Sequence, residues 1–122
     1  MEQATSNIAL IVEDDFWQRE LVSVLLEESG IGVVQCDTAE EALGVLEQFG
    51  GGVGMIFTDV NLAGQVDGVE LAHVAAKHYP HIHVTVTSGN ELNRPLPQGA
   101  TFLAKPWVAL DVLQEAERSF HH

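Results

Sequence analysis

The chain has 122 residues, 46% of them apolar, with eighteen acidic residues against five basic ones and a formal charge of −13. That length fits one hydrophobic core and not two, and the apolar share excludes a disordered chain. The acidic balance excludes a surface that grips nucleic acid, and no apolar run approaches the roughly 20 residues that span a bilayer.

The start of the chain lacks the basic-then-apolar pattern of a secretory signal. Cys36 is the single cysteine, so no internal disulfide forms, which fits a reducing, cytoplasmic setting. The closing His121-His122 pair is set aside as a tag remnant. Ile8 to Val12 reads as a first strand. Asp15 is the expected N-cap of a helix from Phe16 to about Glu28, with Leu21, Val22, Leu25 and Leu26 as its apolar stripe and Gly30 just past its end. Ile31 to Gln35 reads as the second strand. Thr38 and Glu41 have capping-box spacing and open a helix that ends before Gly50-Gly51-Gly52. A third strand runs through Met55-Ile56-Phe57-Thr58 and stops on Asp59. Asp67 and Glu70 start a third helix, carrying Val69, Leu71, Ala72, Val74 and Ala75, and Pro80 stops it. His83 to Thr87 is a fourth strand and Thr101 to Ala104 a fifth. Between them Asn90 to Gln98 holds Pro95 and Pro97, so a fourth helix there is shortened or replaced by loop. Pro106 is expected in the first turn of a last helix through Val108, Leu110, Val112 and Leu113. Apolar strands alternating with helices mean an α/β fold, a doubly wound five-stranded parallel sheet with helices on both faces.

In such sheets the reactive crevice lies at the carboxyl ends of the strands. Strand one ends in Glu13-Asp14-Asp15, strand three in Asp59, strand four in Thr87-Ser88-Gly89 and strand five in Lys105-Pro106. Crowded carboxylates raise one another's pKa unless a cation is present, and Lys105 supplies only one positive charge. A hard, oxygen-coordinated divalent ion completes the balance, and Mg²⁺ suits one or two carboxylates with water and a phosphoryl oxygen. A nucleophilic aspartate beside metal, amine and hydroxyl is equipment for phosphoryl transfer.

The stretches LIVEDDFWQRELV, MIFTDVNLAGQVDGVELA, VTVTSGN and GATFLAKPW resemble, in that order, the receiver domain of two-component response regulators. The resemblance covers roughly Ile8 to Arg118 and implies a flavodoxin-like, CheY-like fold over one domain, residues 1–122. It implies that Asp59 accepts a phosphoryl group from a histidine kinase or histidine phosphotransfer protein, so that the domain catalyses only its own phosphorylation and dephosphorylation. It assigns Asp14 as direct Mg²⁺ ligand, Glu13 as a ligand largely through water, and Asn61 as a main-chain ligand. Lys105 becomes the phosphate-sensing lysine, Ser88 the switch hydroxyl and Phe102 the aromatic that changes rotamer. Thr87 stays open as the switch hydroxyl, with Ser88 favoured because Gly89 then takes the small position that follows. Family members also have a cis bond before the proline of the Lys-Pro pair.

Other readings of these residues are blander. Asp15 reads as a cap, Gly64 and Gly68 as loop geometry, Cys36 as a small core residue, and Trp17 and Trp107 as packing residues of their helices. His73, His78, His81 and His83 suggest zinc, but surface or partly buried histidines are the simpler reading with no cysteine beside them. No effector follows residue 118, so a stand-alone receiver acting through another protein is expected. Its partners are then proteins, with no nucleic acid and no membrane. The rivals are an aspartate-nucleophile, Mg²⁺-dependent phosphohydrolase and a degenerate receiver that binds partners unphosphorylated. The phosphohydrolase pattern needs a second aspartate two residues on, where this chain has Asn61.

Overall fold

A computed structural model describes residues 7–120, so the closing histidine pair lies outside the described residues. Five parallel strands form one sheet in the order β2-β1-β3-β4-β5: β1 (Ile8–Val12), β2 (Gly32–Cys36), β3 (Val53–Asp59), β4 (His83–Ser88) and β5 (Thr101–Ala104). Four helices connect them: α1 (Phe16–Glu28), α2 (Ala39–Phe49), α3 (Gly68–His78) and α4 (Ala109–Phe120). Residues 90–98 carry no helix among the described residues, as their prolines require.

Strand alternation divides the core. Leu10, Val12, Ile56, Val84 and Val86 pack under α2 and α3, against Ala39, Ala42, Leu46, Leu71, Ala72 and Ala75. Ala9, Ile11, Met55 and Phe57 face the other way, toward Val22 and Leu26 of α1 and Val112 and Ala116 of α4. All seven residues of β3 are buried, so the central strand is covered on both faces around its apolar run Met55-Ile56-Phe57. Buried charge is met where it occurs. The Glu115 carboxylate accepts hydrogen bonds from His83, Thr85 and Arg118 at 3.0, 3.1 and 3.0 Å.

The caps follow the sequence with one rearrangement. Asp15 accepts from the Gln18 N–H at 3.0 Å, and Asp67 with Glu70 forms the full reciprocal box. Thr38 accepts from the Glu41 N–H, but Glu41 returns its bond to the Asp37 N–H, one residue before the cap.

Other expectations are corrected. The buried stripe of α1 is Val22, Ser23 and Leu26, with Arg19 one turn earlier, and Leu21 is exposed. The helix is turned so that Arg19 faces inward, which carries Trp17 out into solvent at 77% exposure. Trp17 is therefore not a packing residue. Trp107 does pack, edge-on to Phe57 at 5.8 Å between ring centroids, but it lies ahead of α4 rather than in it. Pro106 likewise precedes the helix. Lys105 still pairs with β4 through its N–H to the Ser88 carbonyl, the Lys105–Pro106 bond is cis, and α4 begins only at Ala109. Asp111 takes the Val108 N–H, while Val108 and Leu110 stay exposed outside the buried stripe. His81 precedes β4 and donates to the Gly50 carbonyl, so it shares no strand face with His83. Among the described residues His73, His78, His81 and His83 do not gather into a metal-binding group.

Gly68 has a more specific role than loop geometry. A Cβ there would stand 2.1 Å from the Asp59 carbonyl oxygen, so only glycine lets α3 start against the end of β3. Gly44, inside α2, has open space around it. We expect Gly68→Ala to destabilise the fold by about 1–3 kcal/mol and Gly44→Ala to stabilise it by about 0.5–1 kcal/mol, read from the midpoints of urea denaturation.

Candidate functional site

The carboxyl ends of β1, β3, β4 and β5 bring the candidate residues to one rim. Asp59 is the last residue of β3, Glu13 and Asp14 follow β1, Thr87 and Ser88 end β4, and Lys105 follows β5. Lys105 Nζ donates to Asp59 Oδ2 at 3.1 Å and stands 3.7 Å from Glu13 Oε1. Both carboxylates are buried, Asp59 at 8% exposure and Glu13 at 7%. Asp14 and Asn61 are exposed at the mouth. Phe102 lies on β5 beside Val86 with 38% of its surface exposed, turned out of the site.

Burial pushes the Glu13 carboxyl up to about 7. The Asp15 N–H on Glu13 Oε2 and the Lys105 ammonium pull the other way, and the Asp59 carboxylate pushes it further up. The Lys105 ammonium therefore does not offset the burial of Glu13. The donor set is all hard oxygen, and it suits an ion that takes one or two carboxylates and fills its remaining positions with water and main-chain oxygens.

Strand parity separates Thr87 from Ser88. Thr87 is the register partner of Asp59, so both side chains leave the same face of the sheet. Thr87 Oγ1 is buried with no hydrogen-bond partner, an uncommon state for a hydroxyl. Ser88 belongs to the opposite face, and its Oγ accepts from the Asn90 N–H at 3.1 Å. Thr87, rather than the favoured Ser88, thus shares the face of Asp59.

Sequence reading missed Arg19. Its side chain is only 12% exposed, and it reaches the Glu13 carbonyl at 2.7 Å, Gln35 at 3.0 Å and Asp37 at 3.2 Å. The available signal was its spacing, three, four and seven residues before Val22, Ser23 and Leu26.

Comparison with known proteins gives the family and the fold. The response regulator receiver domain family matches residues 9–116. Response regulator protein FleR of Pseudomonas aeruginosa is 36% identical over 116 residues, covering 89% of this chain and 24% of FleR. The chain thus spans about a quarter of that relative. The receiver domain of hybrid histidine kinase CckA superposes with a TM-score of 0.80 at 28% identity, over 93% of this chain and 99% of that one. A CheX–CheY complex from Borrelia burgdorferi, holding BeF3 and Mg²⁺, shares the fold at TM-score 0.78 and 20% identity, over 91% of this chain and 87% of that one.

The Glu13 shift has a measurable consequence. Its folded pKa lies above the ordinary 4.5, so its contribution to stability is full below that value and is lost as pH rises through about 7. Glu13→Gln cannot ionise. Metal-free Glu13→Gln is therefore expected to gain stability relative to wild type between pH 5 and pH 8, by on the order of 1–3 kcal/mol in urea melts.

Proposed function

The chain belongs to the response regulator receiver domain family, and on that premise we propose that Asp59 accepts a phosphoryl group from the phosphohistidine of a histidine kinase or phosphotransfer protein. The observation that carries this is the pairing of Asp59 with a 3.1 Å ammonium contact on one side and the unpartnered Thr87 hydroxyl in register on the other. A carboxylate oxygen of Asp59 attacks phosphorus, the phosphorus–nitrogen bond breaks, and the imidazole leaves with the bonding pair. The fully buried β3 fixes the nucleophile's backbone while its side chain meets the donor at the rim.

Glu13, Asp14 and Asp59, with the Asn61 main-chain oxygen, would hold Mg²⁺. When bound, that ion neutralises charge on the phosphoryl oxygens. Lys105 moves from Asp59 and Glu13 onto a phosphoryl oxygen, and Thr87 donates its hydroxyl to another. Each contact draws β4 and the segment after it toward the site, and Phe102 turns inward behind them, so the output is a change of surface rather than a released product. We read residues 1–122 as a single receiver domain acting on another protein in the cytoplasm. Among the described residues no helix is long and apolar enough to cross a membrane.

A surface beside the site supports a protein donor. Trp17, Leu21 and Val24 are exposed at helical spacing along α1. Leu21 also lines an open apolar groove of about 470 Å³, together with Gln18, Lys105, Pro106 and Trp107.

Intact mass after incubation with a small acyl phosphate and Mg²⁺ tests the assignment. Wild type should gain one base-labile phosphoryl group, Asp59→Asn none, and Thr87→Ala should accept it at least tenfold more slowly. Label on Asp59→Asn, or many turnovers on phosphomonoesters, would sink the reading. Trp17→Ala should keep its rate with the small donor and lose about tenfold with a phosphorylated histidine kinase, because an anchor of this size carries on the order of 1–2 kcal/mol of docking.

A further inference from the structure

We propose that Arg19 is a positioning residue for the divalent-ion site: it sets the backbone at the end of β1 and so aims Glu13 and Asp14. This rests on the Mg²⁺-dependent reading above. The argument starts from an unfilled acceptor. The Glu13 N–H makes the last ladder bond from β1 to β2, at 3.1 Å to the Cys36 carbonyl. Beyond it the strand pairing stops, and among the described residues the Glu13 carbonyl has no main-chain donor. Arg19 NH1 takes that place at 2.7 Å. The same nitrogen meets Asp37 at 3.2 Å, and Nε donates to Gln35 at 3.0 Å. Gln35 in turn donates to Glu20 at 2.8 Å.

One planar guanidinium thus ties three segments together: the turn after β1, the end of β2 and the first turns of α1. The Phe16 ring lies 5.6 Å from its centre and covers the outer side. The fork geometry is what the task requires. A lysine has equal charge but no fixed pair of donors to bridge a carbonyl and two side chains at once. Each of the two candidate ligands sits within one residue of the carbonyl held, so a drift there moves both carboxylates.

Charge and geometry predict opposite signs. As a bare positive charge near the site, Arg19 repels a second cation, and its loss should tighten Mg²⁺ binding. As a clamp on the ligands' backbone, its loss should loosen binding, by about tenfold for an outer residue of this kind. The Asp37 carboxylate already offsets the charge.

The experiment follows the amide resonances of Asp14 and Asp59 during Mg²⁺ titration of the unphosphorylated protein. Arg19→Ala should raise Kd about tenfold, and Arg19→Lys should fall near it rather than near wild type. Asp37→Asn, which touches no candidate ligand, should raise Kd by a smaller factor and guards against failure of the first variant to fold. In acyl-phosphate labelling, Arg19→Lys should need more Mg²⁺ for half-maximal rate yet approach the wild-type rate at saturation. A Kd unchanged within about twofold, a tighter Kd, or full rescue by lysine overturns the proposal. Wild type that binds no Mg²⁺ at these residues overturns the function reading instead.

Discussion

Glu13 and Asp59 are buried side by side at the rim of the sheet, and a single ammonium, Lys105, reaches both. Acids removed from water remain ionised only when opposite charge or hydrogen bonds replace the solvent. At Glu13 burial outweighs the Lys105 ammonium and lifts the carboxyl to about 7. The pair is held in an unbalanced state that a divalent cation can complete. The rest of the fold keeps that imbalance in place.

It does so by making the support stiff on every side. β3 is the central strand, paired with β1 and β4 and covered on both faces. α3 begins directly against the Asp59 carbonyl, where Gly68 leaves no room for a side chain, and the Gly68 N–H bonds to the Val60 carbonyl at 2.9 Å. The Val60 N–H bonds to the Thr87 carbonyl at 3.0 Å, and the Lys105 N–H to the Ser88 carbonyl at 2.9 Å. Three strand ends are therefore stitched together just where the Asp59, Thr87 and Lys105 side chains leave them. By contrast, the connection between β4 and β5 is held by side chains. Arg94 pairs with Asp67, and His73 reaches the Pro95 carbonyl at 2.9 Å. Such ties can exchange partners without breaking the sheet.

Much of this was legible in the residues, for a physical reason. Unbroken apolar strands, capping boxes and turn glycines are local signals, and the rule that reactive groups gather at strand carboxyl ends needs only their order. Asp59, Glu13 and Lys105 were accessible that way. What stayed hidden depended on phase. A one-residue shift in strand four exchanges Thr87 for Ser88 on the working face, and only pairing with Asp59 fixes it. A small rotation of α1 exchanges Leu21 for Arg19 on the inner face, driven by polar acceptors at the ends of β1 and β2 that no apolar pattern records. The start of α4 was misplaced because Lys105 is still engaged with β4, a contact between segments far apart in sequence.

The two tryptophans occupy different environments. Trp17 projects into water from α1, edge-on to Phe16, while Trp107 is wedged against Phe57 beside Lys105, its indole N–H buried and without a partner among the described residues. Their emission should therefore separate, red-shifted for the first and blue-shifted for the second. The native chain contains two intrinsic optical reporters, one on the outer face of α1 and one beneath the rim. Occupancy of the rim and contact with a second protein become distinguishable by colour in a single unlabelled sample.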